Sequence, residues 1–264
     1  MRPRVLEHDR TGEGEPPLVL LPGGLTGWRS WLPLVPALAR GRRVVRIQPL
    51  CNAEGLAGRP GDPGYDAATE RESIRMTLAE AGISDLHLVG WSNGGRMALD
   101  FALAHPRRVR SLTLVEPGAH WLATGADAQA FHEQLVGLAG RRVTDDDLRA
   151  FLTRAGLGGE DPEADVTALP QWSFWSSCRQ ALSWGGADAF ASAAAGIEGY
   201  ERLAIPTLVV RGRSTAPWLH AVAGRLAGEL PAATLLELDG DHACILQSPE
   251  AFVAGLEEHL ARSG

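Results

Sequence analysis

Lysine is absent from this chain of 264 residues, and all 25 basic residues are arginine. Schiff-base chemistry on a lysine amine is therefore excluded. Cysteine is scarce: the three thiols, Cys51, Cys178 and Cys244, lie far apart with no C-x-x-C spacing. That pattern makes neither a disulfide framework nor a zinc site. No run of basic residues stands against the net charge of −7, which argues against a nucleic-acid-binding face. No apolar stretch approaches the length of a membrane span. Met1-Arg2-Pro3-Arg4 is not followed by an apolar signal-peptide core. The expectation is a cytoplasmic, soluble protein with neither nucleic acid nor membrane as partner.

What is present is ordinary globular composition, 45% hydrophobic and 22% charged, rich in the Ala, Gly and Arg that a GC-rich genome produces. The length suits one large domain, or a core carrying one insertion. Short apolar runs predict strands at Leu18 to Leu21, Arg43 to Ile47, Leu86 to Val89, Leu112 to Val115, Pro206 to Val210 and Thr234 to Leu238. Helical spacing falls between them: Trp31 to Ala39, Tyr65 to Ala81, Met97 to His105, Ala221 to Leu230 and Pro249 to Arg262. Polar, Pro/Gly-rich residues 52 to 65 read as a loop. Strands alternating with helices imply an α/β fold, a mostly parallel central sheet covered by helices on both faces. Residues 118 to 203 break the alternation, with helical patterns at Ala128 to Leu138, Asp145 to Arg154 and Cys178 to Ala194. They read as a helical cap set into a core of residues 1–117 and 204–264.

In such sheets the chemistry sits in loops beyond the C-terminal strand ends. The loop after Leu86 to Val89 is Gly90-Trp91-Ser92-Asn93-Gly94, and a helix follows at once. Gly-x-Ser-x-Gly between strand and helix is the nucleophile-elbow pattern. The turn forces the serine into a strained backbone conformation, which lifts its hydroxyl clear of the sheet. The flanking residues must then be glycine, for lack of room.

With this motif and the strand–loop order, the chain resembles the α/β-hydrolase-fold superfamily over nearly its whole length, with a helical cap. The resemblance implies a catalytic histidine on the loop after the last strand. Gly240-Asp241-His242 stands there, so His242 is the expected base. It also implies a backbone oxyanion site, made by the residue after the nucleophile, Asn93, and by the loop Leu21-Pro22-Gly23-Gly24-Leu25. Gly24 is the expected donor, with Leu25 next. Pro22 replaces the usual histidine of that loop but leaves its backbone donors available. His87 and His105 read as structural, and His120 and His220 as secondary pocket candidates.

The acid departs from the pattern. The family most often places it after the strand read here as Pro206 to Val210, but Arg211 to Trp218 holds no carboxylate. Glu116, at the preceding strand end, is the substitute, and the order Ser92, Glu116, His242 keeps the family's sequence of nucleophile, acid and base. Asp241 would have to fold back on its own neighbour, and Asp239 fits the strand end better.

All eight tryptophans fall in expected site loops or in the cap. Trp28, Trp91, Trp121, Trp172, Trp175 and Trp218 are the expected lining of a pocket for a hydrophobic small molecule. No cluster of arginines appears in these loops beyond Arg211 and Arg213, which disfavours a highly anionic substrate. The implied activity is a cofactor-free, metal-free serine hydrolase acting on an ester, thioester or lactone. Lyase or C–C-cleaving chemistry on the same fold is one alternative, and a non-catalytic ligand-binding protein is the other.

Overall fold

The computed structural model describes residues 1–62, 64–157, 165–185 and 199–263. The strands are β1 (His8–Thr11), β2 (Leu18–Leu21), β3 (Val44–Ile47), β4 (Leu86–Trp91), β5 (Val109–Val115), β6 (Thr207–Gly212) and β7 (Ala233–Leu238). They form a seven-stranded sheet in the order β1-β3-β2-β4-β5-β6-β7. Every neighbouring pair is parallel except β1 with β3, where His8 lies opposite Ile47. The six expected strands are all present.

Both faces of the sheet are covered, which is why its central strands read as unbroken apolar runs. On one face Leu18 and Leu20 pack with Val89, Val115, Val210, Trp31 and Phe252. On the other, Val19 and Leu21 pack with Leu88, Leu114, Val209, Met97 and Phe101. Each such fully buried leucine is worth roughly 2 kcal/mol relative to exposure.

The differences from the sequence reading have local causes. Strand β1 was not expected, because His8–Thr11 is a polar, partly exposed edge strand with no apolar run. The segment expected as one helix from Trp31 to Ala39 is split into a 3-10 turn at Gly27–Trp31 and a single helical turn at Val35–Leu38. Residues 52 to 65 are not all loop, since a helix spans Leu50–Leu56. Its N-terminus is capped from far along the chain: the buried Glu70 carboxylate accepts from Leu50 N at 2.8 Å, Cys51 N at 3.1 Å and Tyr65 Oη at 2.7 Å. Burial pushes the Glu70 carboxyl above its usual range, against those bonds and the nearby Arg96 charge. A cap nearly twenty residues away leaves no local helix-start signal.

Between β5 and β6 the described residues form helices at Ala126–Leu138, Asp145–Arg154 and Trp172–Cys178. The helix expected over Cys178 to Ala194 falls partly on residues 186–194, outside the described residues. This insert has its own apolar cluster, with Leu138, Val143, Leu148, Leu152, Cys178 and Leu182. It seats on the helix Leu50–Leu56, where a Cβ on Gly55 would come 2.3 Å from Ala181 Cα. Trp184 adds a hydrogen bond from Nε1 to the Arg59 carbonyl at 2.8 Å. No helix of the described residues is long and apolar enough to cross a membrane.

Candidate active site

Ser92 sits between β4 and the helix Asn93–Ala104 with φ 55° and ψ −118°. That conformation costs a non-glycine residue about 1–3 kcal/mol and persists only where the surroundings enforce it. Here Ser92 N donates to Val115 O at 2.8 Å, and Ser92 O accepts from Gly95 N and Gly118 N, both at 2.9 Å. The glycines are required by contact. A Cβ on Gly90 would lie 2.1 Å from Gly94 O, and one on Gly94 would lie 2.3 Å from Leu21 O and 2.5 Å from Pro22 O. Gly94→Ala is therefore expected to destabilise the fold by about 1–3 kcal/mol through overpacking. A fall in the urea midpoint with an unchanged slope would register it; an unchanged midpoint would mean that the elbow has slack.

His242 reaches Ser92 from the loop after β7. Its Nε2 is 3.0 Å from Ser92 Oγ, and its Nδ1 is 3.2 Å from Glu116 Oε2. The ring is further fixed through the backbone, where Trp91 Nε1 donates to His242 O at 3.0 Å. Glu116, wholly buried, follows β5 with φ 46°. The β6 loop that lacks a carboxylate supplies donors to this one instead. Gly212 N donates to Glu116 Oε1 at 2.7 Å, and Thr215 Oγ1 donates to Oε2 at 2.5 Å. Asp241 faces its own loop, its Oδ1 accepting from Ala243 N at 2.8 Å. Asp239 pairs with Arg213. Burial and the charges of Glu116 and Asp241 push the neighbouring Cys244 thiol far up, so that it stays protonated.

Asn93 opens the helix, so its N–H is among those with no intrahelical acceptor. Gly24 stands beside it, where an added Cβ would be 3.3 Å from Asn93 Cβ. The Leu25 side chain joins the insert's apolar cluster. The loop is anchored by the fully buried Asn52, whose Nδ2 donates to Gly23 O at 3.2 Å and Gly24 O at 3.0 Å. Nothing around Asn52 in the sequence marks it, because its partners lie almost thirty residues earlier.

Above Ser92 lies a pocket whose walls include Phe131, Leu135, Phe151 and Leu182 from the insert. Of the six tryptophans expected there, Trp121 and Trp218 line it. Trp218 stacks on Phe131 at 4.4 Å and donates from Nε1 to Arg154 O. The other four do not line it. Trp28 lies under the Arg46 guanidinium, Trp91 packs edge-on against Trp31, and Trp172 and Trp175 pack on the insert's own cluster. Aromatic content could not separate pocket walls from docking surfaces. His120, a secondary pocket candidate, borders the pocket, as does Arg96, outside the expected lining, whose Nε donates to Asn93 Oδ1 at 3.1 Å. Arg211 and Arg213 instead pair with Glu237.

A family model described as alpha/beta hydrolase fold matches residues 16–249. The chain is 28% identical to a pimeloyl-[acyl-carrier protein] methyl ester esterase of Aeromonas hydrophila, over 96% of this chain and 98% of that one. It is 38% identical to a 2-hydroxymuconate semialdehyde hydrolase of Pseudomonas sp. strain CF600, over 41% of this chain and 38% of that one. Among solved structures, an enol-lactonase of Burkholderia xenovorans LB400 superposes with a TM-score of 0.74 at 20% identity, covering 97% of this chain and 96% of that one.

Proposed function

The chain belongs to the α/β-hydrolase-fold family, and we propose that it is a serine hydrolase cleaving an ester, thioester or lactone of a hydrophobic small molecule. The observation that carries this reading is the continuous line Ser92 Oγ, His242, Glu116 beneath an apolar pocket. Ser92 Oγ adds to the substrate carbonyl carbon while its proton passes to His242 Nε2. Glu116 accepts from Nδ1–H, which fixes the imidazole tautomer and balances the charge it acquires. The N–H groups of Asn93 and Gly24 receive the oxyanion, and such a donor is worth about 3 kcal/mol of barrier lowering. Collapse expels the alcohol or thiol, which takes the proton from His242. Water then repeats the cycle and releases the acid. The insert acts as a cap that shields the acyl-enzyme.

Labelling with a fluorophosphonate probe tests this directly. One adduct on Ser92 by peptide mass, together with a burst of nitrophenol from a p-nitrophenyl ester, is the expected result. Turnover that persists without any adduct would rule the acyl-enzyme out. The 38% identity to the semialdehyde hydrolase favours a second reading, hydrolysis of a C–C bond. Turnover of a 2-hydroxy-6-oxo-dienoate in preference to short esters would select it.

Asn52 acts here as a positioning residue. Asn52→Leu removes both anchors of the Gly23–Gly24 loop, and a displaced donor of this kind costs about a hundredfold in rate. The loss is expected in kcat with KM nearly constant, because the oxyanion forms only in the transition state. Steady-state kinetics decide it; a change confined to KM would assign Asn52 to substrate binding.

A further inference from the structure

The pocket above Ser92 holds about 50 Å³ of free volume. It is the smaller of two adjoining cavities. Next to it lies a solvent-facing cleft of about 480 Å³. The two cavities have His120 and Trp121 in common. These residues form the wall between them.

The wall is held in place. His120 Nε2 and His132 Nδ1 are hydrogen-bonded at 2.8 Å, which ties the turn after β5 to the helix Ala126–Leu138. The His120 ring meets Trp121 edge-on at 5.2 Å and Phe131 at 5.8 Å. Burial, with His132 next to it, holds the His120 imidazole down to about 4, so near neutrality it is an uncharged partner. Beyond the wall the cleft offers Trp121, Ala123 and Ala128 as apolar surface, and Thr124, Gln129 and His132 as hydrogen-bonding groups. Among the described residues its lining contains no carboxylate and no guanidinium; Gln129 Nε2 donates to Glu133 Oε1 at 2.8 Å, which leaves the Gln129 amide oxygen to face a ligand.

Among the described residues, this wall separates the catalytic pocket from the next open space, so a substrate that outgrows the pocket meets it. We propose that the outer cleft binds the distal end of the substrate, a neutral hydrogen-bonding group such as an amide, joined to the scissile ester by an apolar linker that passes the His120–Trp121 wall. The inference rests on the serine-hydrolase reading and narrows its substrate class. The distal group belongs to either the acyl or the alcohol side, and the test has one arm for each.

The acyl arm compares methyl 6-acetamidohexanoate with methyl decanoate. The alcohol arm compares 6-acetamidohexyl acetate with decyl acetate. In one arm the amide ester is expected to exceed its hydrocarbon counterpart in kcat/KM by about tenfold, the worth of one or two hydrogen bonds. The double substitution Gln129→Leu, Thr124→Val should reduce that preference to about twofold or less, as expected when the hydrogen-bonding partners are removed. Fluorophosphonate labelling of Ser92 checks that the variant site is folded; if it is not, Thr124→Val alone, at an exposed position, takes its place and should lower the preference in the same direction. A wild-type enzyme without the preference in either arm, or a labelled variant that keeps it in full, overturns the proposal. If methyl butanoate is not hydrolysed and Ser92 is not labelled, the hydrolase reading itself fails and takes this one with it.

Discussion

Ser92→Ala is expected to lower kcat by about a million-fold on a short p-nitrophenyl ester while leaving the fold intact, the scale seen when a triad nucleophile is removed. Both halves of the expectation have a structural cause. The hydroxyl has His242 Nε2 as its hydrogen-bond partner at 3.0 Å, so its loss removes the nucleophile and frees one imidazole nitrogen that water can reach. The backbone at φ 55° is held by bonds from Val115, Gly95 and Gly118, none of which involves the side chain. Alanine carries the same Cβ and therefore the same strain as serine. Thermal unfolding should be nearly unmoved as activity disappears. The variant also separates enzyme from binding protein: unchanged biological function in Ser92→Ala would leave the serine without a chemical role. Residual turnover within about tenfold of wild type would exceed what an oxyanion site and binding alone supply, and would point to another nucleophile.

How far the sequence alone discloses this molecule depends on the range of the interactions involved. Leu18–Leu21 is legible because a strand buried on both faces must be apolar at every position. Ser92 is legible because a tight turn needs its glycines within two residues. His8–Thr11 is hidden because an edge strand is defined by its partner β3, not by its own composition. The helix Leu50–Leu56 is hidden because Glu70 caps it from outside. Glu116 became visible by elimination, from a loop that lacks an acid. That the same loop returns Gly212 N–H and Thr215 O–H to Glu116 is a matter of three-dimensional approach, and a hydroxyl in a turn gives no signal for it. Tryptophan shows the same limit: Trp121 and Trp172 have equal apolar area, and only packing sends one to the pocket and the other to the apolar cluster of the insert between β5 and β6.

Glu116→Gln tests the least familiar member of the site, and its expected effect is a fall in kcat of about ten-thousand-fold, the cost of replacing a triad acid by its amide. Glutamine keeps the shape but brings one acceptor where the carboxylate has two. Gly212 N–H faces Oε1 at 2.7 Å and cannot be turned away, so the amide oxygen is drawn to that side. The amide NH₂ then faces Thr215 and His242 Nδ1. The threonine hydroxyl can rotate to accept; the imidazole can accept only by moving its proton to Nε2. In that tautomer Nε2 can no longer take a proton from Ser92, and the negative charge that offsets the imidazolium is gone. Thr215→Val, which keeps the carboxylate and removes one neutral donor, should cost only about tenfold. Asp241→Asn should cost less still, since its Oδ1 is turned to Ala243 N. Measured side by side in kcat, the three variants rank the carboxylates: a near wild-type Glu116→Gln, or an Asp241→Asn as damaged as Glu116→Gln is expected to be, would move the acid's role away from the end of β5.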